Sequence, residues 1–79
     1  MPDSQPLQRY AVIAQADGWR VLSGRARIGR FQTRAEALAV ALGLAKQIAA
    51  GGRGIELLAQ DTASDFDLTS IYRYDPADD

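Results

Sequence analysis

The sequence predicts an α+β fold: an antiparallel sheet with one long helix packed on one face, in the order β-β-β-α-β-β. Three observations carry that prediction. Two apolar runs, "RYAVIAQ" and "WRVLS", flank Asp17-Gly18, a pair that accepts the positive φ angles of a tight hairpin turn. Thr33 and Glu36 stand at the T-x-x-E spacing of a helix capping box, ahead of a segment rich in alanine and leucine. Beyond "GGRG", the runs "IELLA" and "FDLTSIYRY" read as two further strands.

Taken in order, residues 1–6 are polar and hold two prolines, so a disordered leader is expected. Residues 7–74 form one α+β domain, and residues 75–79 an acidic disordered tail. In the first hairpin, an Asp17-Gly18 turn sets Ala16 opposite Trp19, Ala14 opposite Val21 and Ile13 opposite Leu22. Tyr10, Val12, Ala14, Trp19 and Val21 then share one face, which is assigned to the core because its aromatic rings bring the larger apolar area. Ala11, Ile13, Gln15, Arg20 and Leu22 share the other. A turn at Ser23-Gly24-Arg25 leads to a third strand from Arg27 to Phe31.

The helix should start at Arg34, with Thr33 and Glu36 each satisfying a free backbone N–H of the other's end. Its large apolar residues, Leu38, Leu42, Leu44 and Ile48, are filled in by Ala37, Ala41, Ala45 and Ala49 to make one sheet-facing stripe. Gly51 is expected to end it in the left-handed conformation. The apolar fourth strand suggests burial on both sides. The fifth extends the sheet or covers its rear.

Composition narrows the function. The chain holds no cysteine and no histidine, which removes thiolate chemistry, the commonest metal ligand and the usual general base. Ser64 and Ser70 therefore lack an activating imidazole. Asp61, Asp65 and Asp67 cluster without the glycine and terminal glutamate of a calcium loop, and "GGRG" lacks the lysine and hydroxyl residue of a phosphate loop. No catalytic residue, metal site, cofactor or small-molecule substrate is expected. No signal peptide or membrane span is read either, which predicts a cytoplasmic protein without a membrane partner.

Net charge is −1, but residues 1–54 carry eight basic side chains against three acids, whereas residues 55–79 carry Arg73 against seven acids. Arg25, Arg27, Arg30 and Arg34 fall close together with no acid among them. Guanidinium forks suit phosphate, and Arg30 and Arg34 flank a helix N-terminus, so these four are the candidate anion or nucleic-acid site. The competing reading is a solvated rim, since eight arginines to one lysine and abundant alanine also suit a GC-rich bacterial genome. A second candidate is self-association through the helix face of Ala35, Ala39, Val40, Gly43 and Gln47, where small residues recur every four positions and charge is sparse. Ile13 and Leu22 form a third, an apolar pair on the sheet face away from the helix. That pair requires a cover, either Ile71 or Tyr72 folding back or a second copy of the hairpin.

These motifs also resemble known families. Trp19-x-Val21, Phe31-x-Thr33-x-x-Glu36-Ala37, the small residues Ala41 and Ala45, and a tyrosine before Asp75-Pro76 resemble a small bacterial family known as domain of unknown function number twenty-one eighty-eight. In that resemblance Trp19, Phe31, Thr33 and Glu36 are structural, and no activity is implied. Trp19, the glycine turn and Phe31-x-Thr33-x-x-Glu36-Ala37 are also similar to the three-strand-plus-helix DNA-binding module at the N-terminus of phage-type integrases. That similarity implies a sheet face laid in the major groove, here with Arg20 and Gln15 as polar readers. The leading expectation is a non-enzymatic interaction module, as a homodimer or in a larger assembly. The alternative is a nucleic-acid-binding accessory domain using the arginine cluster.

Overall fold

The computed structural model describes residues 7–24, 26–64 and 66–76. Three strands, β1 (Gln8–Gln15), β2 (Gly18–Ser23) and β3 (Ala26–Phe31), precede the helix α1 (Arg34–Ala50), and β4 (Ile55–Gln60) and β5 (Leu68–Tyr74) follow it. The element order is the expected one, and the fold is α+β. The five strands form one sheet in the order β3-β2-β1-β4-β5. One pairing departs from the expected antiparallel pattern: β1 and β4 run parallel, so the sheet is mixed. The cause is α1, which carries the chain from one edge of the sheet across to the far side of β1, as a parallel connection requires. The expected leader falls wholly, and the acidic tail mainly, outside the described residues.

The hairpin register differs from the expected one by two residues. Gln15 pairs with Gly18, Ala14 with Trp19, Val12 with Val21 and Tyr10 with Ser23. Ala16 and Asp17 therefore make the turn, and neither has a positive φ, so no type I′ turn forms. Gly18 has φ +148°, and a Cβ there would stand 2.5 Å from the Phe31 carbonyl oxygen of β3. Its glycine thus serves a close backbone approach inside the sheet. Because the shift is even, every side chain keeps its expected face, and Trp19 and Tyr10 do pack on the helix side.

The helix ends are built by local chemistry. The Glu36 N–H donates to Thr33 Oγ1 (3.1 Å) and the Thr33 N–H to Glu36 Oε1 (3.3 Å), which completes the capping box. At the other end the left-handed residue is Gly52 (φ +83°), while Gly51 has φ −82°. The Gly52 N–H donates to the Ala49 carbonyl and the Arg53 N–H to the Ile48 carbonyl. Those two bonds are the Schellman pattern, which places the positive φ one residue beyond the cap.

Val12, Val21, Ile55, Leu57 and Ala59 of the sheet meet Ala37, Ala41 and Ala45 of α1 in a core with no solvent exposure. The helix buries its alanines most deeply and sets Leu38, Leu42 and Ile48 around them, half-buried against the same core. Small side chains at the centre of the contact let the helix axis come close to the sheet, and the larger ones seal the flanks. Along Ile55–Ala59 of β4, only the helix side is fully buried. On its other side Glu56 and Leu58 are half-exposed, which corrects the expected burial on both faces.

Candidate functional site

Of the four arginines of the expected anion site, the three described share no partner. Arg34, at the first position of α1, turns its Nε onto the backbone carbonyl of Gln60 at 2.7 Å and ties the helix start to the end of β4. Arg30 Nη1 lies 2.8 Å from Asp17 Oδ2. Arg27 is exposed on the edge strand β3, and Arg25 lies outside the described residues. Gln60, which the sequence did not single out, is the one buried polar residue among those described, at 5% exposure. Its Oε1 accepts the Ala14 N–H at 2.9 Å, continuing the β1–β4 ladder where the last backbone partners are Val12 and Ala59.

On α1, Ala35, Ala39, Val40, Gly43 and Gln47 are all exposed, and nothing lies within 4 Å of a Cβ built on Gly43. Trp19 and Phe31 pack against the core, and Thr33 and Glu36 hold the helix cap. Asp61 and Asp67 are exposed on the β4–β5 connection. A groove of about 530 Å³ lies between that connection and the hairpin tip, lined by Ala14, Gln15, Ala16, Ala63 and Phe66.

The rear of the sheet, away from α1, brings together residues from all five strands. Ile13 pairs with Arg20, not with Leu22, and Leu22 pairs with Ala11. Ala11 in turn pairs with Leu58 of β4. Paired residues project to the same face, so Leu22, Ala11 and Leu58 stand side by side across three strands. Each edge strand extends the row through a β-bulge. The pairing of β3 shifts between Val21 and Leu22, leaving Ile28 as the extra residue, and that of β5 shifts between Leu57 and Leu58, leaving Ile71. Ile71 neighbours Tyr72, which packs on the helix side, so it projects to the rear; Ile28 stands in the same relation to Gly29, the partner of buried Val21. The result is a cross-strand apolar row, Ile28, Leu22, Ala11, Leu58 and Ile71, whose two end residues are 36% and 38% exposed.

Arginines border this row on both sides. Toward one side lie Arg9, Glu56 and Arg73, paired in that order across β1, β4 and β5, with Arg9 Nε 3.5 Å from Glu56 Oε1. Toward the other lie Ile13, Arg20 and Arg30, paired across β1, β2 and β3. Arg20 has no ion pair among the described residues, and its Nε is buried without an acceptor. The cover expected for Ile13 and Leu22 does not come from the C-terminal segment, because β5 extends the sheet at its edge and Tyr72 turns to the helix side. A signal for this face was present in Ile13 and Leu22, but the row itself depends on the β1–β4 pairing and on two bulges. Comparison of the chain with protein-family profiles, curated proteins and solved structures gave no match.

Proposed function

We infer that this chain is a non-enzymatic interaction module whose working surface is the rear face of the sheet. The observation that carries the reading is the apolar row across five strands, half-buried at its centre and exposed at both ends, on the sheet face opposite the helix among the described residues. A lone exposed leucine is ordinary, whereas a contiguous apolar strip bordered by charge is the pattern of a contact surface. The absence of histidine and cysteine from the sequence supports a binding role over catalysis, since the remaining polar side chains offer no base suited to neutral pH. Self-association belongs to the same reading, through this face or through Ala35, Ala39, Val40, Gly43 and Gln47 of α1.

The nucleic-acid reading keeps Arg27 and Arg30 of the expected cluster and gains other arginines of the sheet. Arg9, Arg20, Arg27, Arg30 and Arg73 belong to one sheet face by register, whereas Arg34 serves the fold. Retention on a DNA column that falls steeply with salt would support that second reading.

The test of the leading reading is site-specific photo-cross-linking in the producing cells, with the photoreactive residue placed at Leu58 or, separately, at Gly43. Adducts from position 58 and none from 43 are expected. Adducts from 43 alone would move the surface to the helix, and none from either would end the interaction reading.

A further inference from the structure

We propose that the rear face receives an acidic amphipathic helix of a partner protein, apolar side chains on the Leu22–Ala11–Leu58 row and carboxylates on Arg20 and Arg27. The proposal rests on the interaction reading above and names its partner chemistry. Charge is the first argument. Of the five arginines on this face, Arg9 is paired with Glu56, Arg30 with Asp17 and Arg73 with Asp75, whereas Arg20 and Arg27 have no ion pair among the described residues. The border of Arg20 and Arg30, with Arg27 at the end of the row, keeps a positive excess, and an apolar strip with that one cationic side is complementary to an apolar stripe flanked by carboxylates.

Dimensions are the second argument. Five strands at about 4.8 Å spacing make the row roughly 19 Å long, the length of about 13 helical residues. Those residues present three to four turns of an amphipathic stripe, enough to seat anchors at i, i+3, i+4 and i+7.

The other occupants fit less well. Nucleic acid bound on a sheet face stacks its bases on aromatic rings, but Tyr10, Trp19, Phe31, Tyr72 and Tyr74 all pack on the helix side, the exposed Phe66 lies on the β4–β5 connection and not on a strand, and the row is aliphatic. An added strand would need a regular edge, and both edge strands carry a bulge that interrupts their free ladder. A second copy packed face to face would bring the same excess of arginine against itself.

Titration of the full, isotope-labelled chain followed by NMR tests the proposal. One probe is a 14-residue peptide, of roughly the length derived above, with leucines at i, i+3, i+4 and i+7 and glutamates elsewhere. The others are its lysine counterpart and an oligothymidylate. The glutamate peptide is expected to bind saturably, move the amide signals of Ala11, Leu22 and Leu58, gain helicity, and weaken as salt is added. The double variant Arg20→Glu/Arg27→Glu should weaken it roughly tenfold or more and admit the lysine peptide. Leu22→Thr, tested beside it, should weaken binding without changing the charge preference. Equal binding of both peptides, signal changes confined to α1, or tighter binding of the oligothymidylate would overturn the proposal. So would a dimer in light scattering with the rear face protected from exchange. Cross-linking at Leu58 combined with no response to the glutamate peptide would leave the interaction surface standing and remove this partner chemistry.

Discussion

Arg34 holds Gln60: the guanidinium Nε of the first helical residue donates to the last carbonyl of β4 at 2.7 Å, across 26 positions of sequence. A charged donor on a half-buried backbone acceptor contributes more than a neutral pair, about 1.5–3 kcal/mol before allowance for its partial exposure. Arg34→Ala should therefore lower unfolding free energy in urea by roughly 1 kcal/mol or more, whereas Arg27→Ala on the open edge should stay within about 0.5 kcal/mol. Equal effects would show that the bond does not contribute to stability.

Gly43 gives a prediction of opposite sign. It sits in the interior of α1 with nothing near an added Cβ, so Gly43→Ala should raise stability by roughly 0.5–1 kcal/mol. Solution mass should not change. If the variant loses a dimer present in the parent chain, the small-residue face of the helix is an interface that needs the missing side chain.

The same substitution at Gly18 should be severe. Both its φ of +148° and the Phe31 carbonyl 2.5 Å from the built Cβ oppose it, and strain of this kind costs on the order of 1–3 kcal/mol before the clash is counted. Gly18→Ala should lower the thermal midpoint clearly below that of Gly24→Ala, which also replaces a glycine of positive φ (+57°) but whose Cβ meets nothing. A smaller loss at Gly18 than at Gly24 would mean that β2 and β3 do not approach as described.

Among the buried alanines, Ala41→Leu should overpack the contact between helix and sheet and cost about 1–3 kcal/mol. Ala39→Leu, one face away and exposed, should be near neutral. Chemical denaturation of the two variants separates them, and equal tolerance would argue against alanine as the centre of the contact.

Local chemistry was legible in the sequence, and long-range pairing was not. The capping box follows from Thr33 and Glu36 alone, and the core face of the hairpin from alternation, which survives an even register shift. The turn itself was misplaced because Gly18 answers to Phe31, a residue beyond the hairpin. Arg34 read as an anion ligand because its partner, the Gln60 carbonyl, comes from a strand that follows the helix. The rear row was visible only as Ala11 and Leu22, with Ile13 on the same face; Leu58 joins it through a parallel pairing that a helix has to create. Ile28 and Ile71 join through bulges that no local pattern announces.

Leu57 and Leu58 are adjacent in β4 and serve opposite faces, so one paired measurement tests the central claim that the rear row is a surface for contact and not part of the folding core. Unfolding free energies of Leu57→Ala and Leu58→Thr should be compared in urea, threonine being chosen for its own high strand propensity. Leu57, fully buried against the helix, should lose about 2–5 kcal/mol. Leu58 should lose no more than about 1 kcal/mol, the scale of strand propensity itself. Comparable losses at both positions would contradict the account, because the rear row would then be holding the sheet together.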